Sequence, residues 1–220
     1  MMKKRAFILA AVLSVTALTG CGKKESPLDD PAVTAAPAEG FQTGTVSGST
    51  YTSSFSGLKM ETPSEWVYST EKELLDMMDL AFDSIDSPES VKEIAQQATI
   101  YDAMAADRTT GNNVIIMYEN LDKELKNASG VTMNDYIITF KRQLTSNAGS
   151  EYEQIGAETN IQLSGNTYRK LTYRIKDTSS NIEYIQCYYL RKIGNYINCI
   201  VSTGTDIASA ATAEDYFKPL

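Results

Sequence analysis

Residues 182–203 read IEYIQCYYLRKIGNYINCIVST, two runs of β-branched and aromatic side chains on either side of Gly194-Asn195. Glycine in the first position of a two-residue loop suits a type II′ turn, whose twist matches that of the strands it joins. A two-residue loop fixes the pairing: opposed residue numbers sum to 389, so Cys187 faces Ser202 and Leu190 faces Cys199. Side chains alternate between the faces of a strand, which places the two thiols on opposite sides.

Gly165-Asn166 and Gly111-Asn112 repeat the pattern. They predict strands over 152–164 and 167–176, and over 99–108 and 113–120, while Asp177-Thr178-Ser179-Ser180-Asn181 is rich in turn formers. Residues 152–203 thus read as a four-stranded antiparallel meander. Leu171, Tyr173 and Ile175 alternate with Lys170, Thr172, Arg174 and Lys176, the pattern of a sheet with one face on a core.

Helices surround these strands. Thr70-Glu71-Lys72-Glu73 has the form of a capping box, followed at helical spacing by Leu74, Met78, Phe82 and Ile85. Ser87-Pro88 suits an N-cap with proline at the first helical position, opening a short helix through Ala98. Met133, Tyr136, Ile137, Phe140 and Leu144 share one helical face, and a last helix is predicted over 206–217. The expected fold class is α+β: an antiparallel sheet with helices packed on it in a layered sandwich. The segment from Gly57 to Trp66, with its Pro63-x-x-Trp66 corner, resembles the opening of PsbP-like domains, a superfamily that includes DcrB-type bacterial lipoproteins. The resemblance implies an extrinsic assembly or binding module and brings no shared catalytic site.

The N-terminus reads differently. Lys3, Lys4 and Arg5 precede an apolar run from Ala6 to Leu18, too short for a permanent span, which needs about 20 residues. Leu18-Thr19-Gly20-Cys21 then resembles the lipobox of bacterial lipoproteins. That resemblance implies removal of a signal peptide over 1–20 and diacylglyceryl transfer to Cys21. It also implies anchorage at the extracytoplasmic face of a cell membrane, since two acyl chains hold stably where one does not. Residues 21–50 are rich in Ser, Thr, Ala, Gly and Pro and read as a disordered tether with a reach of roughly 30 Å, leaving 51–220 as a single domain.

Composition narrows the chemistry. The chain has no histidine, so Ser-His-Asp and Cys-His nucleophilic sites and imidazole-based zinc sites are excluded. Losing Lys3, Lys4 and Arg5 with the leader takes the formal charge from −8 to −11, a poor match to nucleic acid. No cofactor or metal site is expected. Two Ser-x-x-Lys tetrads, Ser56 to Lys59 and Ser69 to Lys72, lack the companion motifs of acyl-transfer enzymes. Asp76, Asp79, Asp83 and Asp86 read as a solvated helix face.

Cys187 and Cys199 read as small buried hydrophobes, with a disulfide as the alternative in an oxidising compartment. Against the acidic background, residues 166–192 are basic and rich in tyrosine. Arg169, Arg174, Tyr188 and Arg191 are the candidate contacts for a protein partner in the cell envelope, since interfaces favour arginine and tyrosine. The expected function is therefore a membrane-anchored, non-catalytic binding or assembly module. The alternatives are a transporter-associated lipoprotein binding a small molecule or metal, and an envelope hydrolase using Asp102 with Asp107 or Glu119.

Overall fold

A computed structural model describes residues 34–37, 40–81, 85, 88–124, 130–146 and 149–220. The expected signal peptide, Cys21 and the first part of the expected tether lie outside the described residues, as do Phe82, Asp83, Asp86 and Ser87. Among the described residues, eleven strands form two antiparallel sheets.

The large sheet is built on the hairpin closed by Gly194-Asn195. Strand β10 (Glu183–Ile193) pairs with β11 (Tyr196–Gly204) from Ile193↔Tyr196 to Ile185↔Gly204, and Cys187 faces Ser202 as the two-residue loop requires. Gly194 has φ +56°, which supplies the positive φ that a type II′ turn needs at its first central position. On one side, β10 pairs with β9 (Asn166–Asp177). On the other, β11 pairs with β6 (Asn113–Asn120), which joins β5 (Thr99–Asp107) and then the short β4 (Trp66–Tyr68). The outer edge of β9 carries β7 (Ser150–Gln154) and β8 (Thr159–Leu163) in succession.

Two details depart from the expected pairing. The turn before β9 is Ser164-Gly165, with φ of 50° and 78°, so Leu163 pairs with Asn166. Two consecutive positive φ values are the mark of a type I′ turn, and Ser164 takes the first of them. The strand predicted over 152–164 is also interrupted. Between β7 and β8 the register on β9 advances by two residues: Ile155 N–H still donates to the Thr172 carbonyl at 2.8 Å, and residues 156–158 bulge away from the ladder.

The expectation of one core-facing side is corrected. Strands β6 and β10 are buried along almost their whole length, because both faces of the large sheet are covered. On one face lies α4 (Met133–Ser146), with Tyr136, Ile137, Phe140 and Leu144 packed on Leu171, Tyr173, Tyr188 and Leu190. The other face carries the small sheet, β1 (Thr45–Ser47), β2 (Thr50–Ser53) and β3 (Leu58–Glu61), together with α5 (Ile207–Ala211) and a 3₁₀ turn (Thr212–Tyr216). Tyr51, Leu58, Met60, Ala210, Ala213 and Phe217 pack there on Tyr168, Tyr189 and Ile200. The α+β layered sandwich thus has three layers, with the large sheet in the middle.

Helix α1 (Glu71–Met77) has its expected capping box: Glu73 N–H donates to Thr70 Oγ1 at 3.3 Å and Thr70 N–H to Glu73 Oε2 at 2.8 Å. It is shorter than the periodicity predicts. Asp79 enters the left-handed region at φ 56°, and Leu80 N–H returns to the Leu75 carbonyl at 3.0 Å, a Schellman stop with aspartate in glycine's usual place. Helix α2 (Pro88–Ile94) follows, and α3 (Leu121–Glu124) is a single turn after β6. Helix α5 and its 3₁₀ extension occupy the interval expected for one closing helix, capped by Asp206.

The folded part begins before residue 51. Thr34 forms a parallel bridge to Ile193, and Gly194 N–H donates to the Thr34 carbonyl at 2.9 Å. Phe41 enters a cluster with Phe55, Tyr118 and Tyr196, its ring centre 5.0–5.2 Å from each of theirs. Composition concealed this attachment, because it rests on one aromatic ring and on backbone groups, not on a run of apolar residues.

Candidate functional site

The four candidate partner contacts do not share a surface. Strand alternation sends Arg169 and Tyr188 toward α4, and Arg174 and Arg191 toward the small sheet and α5. Arg169, Tyr188 and Arg191 are buried; Arg174 alone is exposed, its side chain at 44%. The physical reason is that both sheet faces are covered, so the basic and aromatic residues of the meander are used inside the molecule.

Arg169, with no exposed surface, donates through Nη1 to Glu158 Oε2 at 2.9 Å and through Nε to Asn160 Oδ1 at 3.1 Å. Lys141 of α4 reaches the other Glu158 oxygen. Burial pushes the Glu158 carboxyl up, but hydrogen bonds and charge attraction from Lys141 and Arg169 outweigh it and hold the group below its ordinary range. Glu158 lies in the 156–158 bulge, which explains the interruption: the bulge turns a carboxylate toward a cation that the ladder would bury. Arg191 donates to the Ser56 carbonyl and to Thr34 Oγ1, each at 2.8 Å, and its guanidinium lies 5.7 Å from the Tyr168 ring centre. Tyr188 stands edge-on to Phe140 and Tyr173 and donates to Gln186 Oε1.

The three carboxylates of the hydrolase alternative are likewise dispersed. Asp102 sits at an irregularity of β5, where it accepts from Tyr51 Oη at 2.5 Å and from Gly44 N–H at 2.8 Å. Burial pushes its carboxyl up to about 6, against the pull of those two donors. Glu119 is buried on the opposite face of the sheet, where it and burial together keep Tyr136 protonated. Asp107 is at the exposed β5–β6 hairpin, held below its ordinary range by Thr110 and by Thr109 N–H.

Other candidates resolve individually. Cys187 and Cys199 are buried free thiols, one in each core, as the register predicts. Ser56 is buried and accepts from Tyr118 Oη at 2.9 Å, whereas Lys59 pairs with Glu61 and Lys72 with Asp76, so neither Ser-x-x-Lys tetrad assembles. Among the described residues, no group of three or more carboxylates and cysteines is placed to hold a metal ion, and no helix is long and apolar enough to cross a membrane.

What remains open to a ligand is a cleft of about 480 Å³ at the end of the sheet where β10 begins. Strand β11 ends opposite Ile185, so β10 runs on past it through Tyr184 and Glu183 while the chain turns away into α5. Arg174, Glu183, Tyr184, Ile185, Asp206 and Ile207 line the cleft. Ile207 and Ile182, each half exposed, are among the few large apolar side chains in contact with solvent. Arg174 is paired across the edge with Glu153, and burial, helped by Tyr152 and Asp177, pushes Tyr184 up to about 12. A second cleft, about 550 Å³, lies between the β1–β2 turn and the C-terminal segment and is lined mainly by polar groups such as Thr50, Glu61 and Asp215.

The two ends of β10 have different neighbours. The chain enters the domain at Thr34 beside Ile193, and the first cleft opens beside Ile185. Eight residues of extended strand separate these two points, about 27 Å. Sequence reasoning found Arg174 and missed Ile207, which carries no pattern beyond lying beside a turn. In comparisons with known proteins, no family model matches this chain and no curated protein matches it.

Proposed function

We propose that this chain is a lipid-anchored, extracytoplasmic binding module of PsbP-like type that holds a protein partner at the cleft beside Arg174 and Ile207. The observation that carries the reading is the layout along β10. Thr34, the first described residue, bridges to Ile193, while the cleft lies about 27 Å away at the other end of the same strand, clear of that attachment. The exposed Ile207 and the guanidinium of Arg174 supply the apolar and cationic groups that interfaces favour. The buried arginines and carboxylates already hold structural elements together, which supports binding over chemistry. A small-molecule ligand is the second reading, favoured by a cleft volume within the range of ligand pockets, roughly 300–1,000 Å³.

Two measurements test the proposal. Metabolic labelling with a lipid precursor marks the wild type, and Cys21→Ala abolishes both the label and membrane retention; a labelled variant overturns the anchor. A photo-crosslinking residue at Ile207 captures a partner in native membranes, one at Val46 does not, and Arg174→Glu suppresses the capture. Equal capture from both positions overturns the cleft assignment.

A further inference from the structure

We propose that residues 40–44 form a releasable latch, which lifts from the sheet while the two cores stay folded and which the Asp102 carboxylate makes dependent on pH. Three observations carry this. The segment belongs to no strand. Its hold on the domain includes one ring, Phe41 against Phe55, Tyr118 and Tyr196, and one bond from Gly44 N–H to Asp102 Oδ1 at 2.8 Å. It is also the cover of a buried acid. Gly44 lies so close to Tyr51 that an added Cβ would stand 2.3 Å from Tyr51 Cε2, and Tyr51 in turn donates to the other Asp102 oxygen. Lifting the segment therefore admits water to a carboxylate that the closed state keeps dry.

The sign follows from the groups around the acid. Tyr51 of β2 and Tyr118 of β6 face Asp102, with Tyr168 of β9 and Arg191 of β10 beyond Tyr118. Burial keeps all three phenols protonated, so they contribute no charge that changes near neutrality. No lysine or arginine pairs with Asp102 among the described residues. The closed state holds the carboxyl near 6, and hydration on opening returns it toward 3.8. The closed state thus binds its proton more tightly, and acidification favours closure. Between pH 7.5 and pH 5 the opening constant falls about tenfold. Opening itself is independent of the anchor at Cys21.

Hydrogen–deuterium exchange on the full-length chain tests the latch, with rates corrected for the intrinsic effect of pH. The Gly44 amide is expected to exchange far faster than the core amides of Tyr189 and Ile200, and to gain about tenfold in protection from pH 7.5 to 5. Asp102→Asn removes that pH dependence. Independently of that variant's folding, Phe41→Ala speeds exchange over residues 40–44 about tenfold without changing Tyr189 or Ile200. Gly44 protection equal to that of the core, or unaffected by pH in the wild type, overturns the proposal. So does a Phe41→Ala effect shared equally by the core amides.

Discussion

Replacing Glu158 by alanine isolates the energetic role of the edge bulge. The carboxylate compensates a guanidinium with no exposed surface and bridges it to Lys141 on α4. Removing one partner of a buried pair typically costs 3–5 kcal/mol, because the remaining charge stays dry and uncompensated. Two features place this case at the lower end: the Glu158 side chain is 13% exposed, and Asn160 Oδ1 still accepts from Arg169 Nε. The expected loss is about 3 kcal/mol, corresponding to a Tm lower by about 6–12 °C for a domain of this size. Urea unfolding of the wild type and Glu158→Ala, followed by far-ultraviolet circular dichroism, measures it. A paired replacement, Glu158→Leu with Arg169→Met, should recover most of the loss, since an ion pair exchanged for apolar groups of similar size is often neutral. The carboxyl is held below its ordinary value of 4.5, so its contribution is complete above that pH and disappears as pH falls through the lowered value. A Glu158→Ala penalty below 1 kcal/mol at pH 7, or one that grows on acidification, would refute the reasoning.

Asp102 has the opposite pH signature. Its raised carboxyl gives the folded state more bound protons between about pH 4 and 6, so wild-type stability falls by about 2 kcal/mol as pH rises across that window and Asp102→Asn flattens the slope. An unchanged slope in the variant removes Asp102 as its source. Cys187 and Cys199 should resist a thiol reagent in the native state and both react after denaturation, whereas an intact mass showing loss of two hydrogens contradicts the register. Arg174→Ala should change stability by less than about 1 kcal/mol, as for an exposed ion pair. Arg191→Ala should cost about 1–3 kcal/mol by leaving the buried Ser56 carbonyl without that donor. Equal Tm shifts in the two variants would show that the burial of Arg191 carries no energetic weight.

The sequence revealed this architecture where local chemistry decides it. A two-residue loop and strict alternation fixed the β10–β11 register, and Thr70 with Glu73 fixed the start of α1. It misled where a side chain's partner lies far along the chain. Arg169, Arg174 and Arg191 look alike in an alternating strand, yet Glu158 in a bulge, Glu153 on an edge and the Ser56 carbonyl under the small sheet give them three different environments. Periodicity also could not show that α1 stops at Asp79, because aspartate there stands in for glycine. The attachment of residues 34–44 left no mark in composition. Of the candidate site, only Arg174 was legible; Ile207 matters through exposure, which a residue's type does not report.

The large sheet, covered on both faces, acts as a partition. Cys199, Glu119 and Arg169 lie in one interior, Cys187, Asp102 and Arg191 in the other, and one thickness of backbone divides them. Packing strain and charge rearrangement travel through side-chain contact, so a change in one chamber has little purchase on the other. Double-mutant cycles spanning the wall should show coupling near zero, while cycles within a chamber should not. Substitutions on the α5 side of the cleft can therefore accumulate without loosening the α4 side.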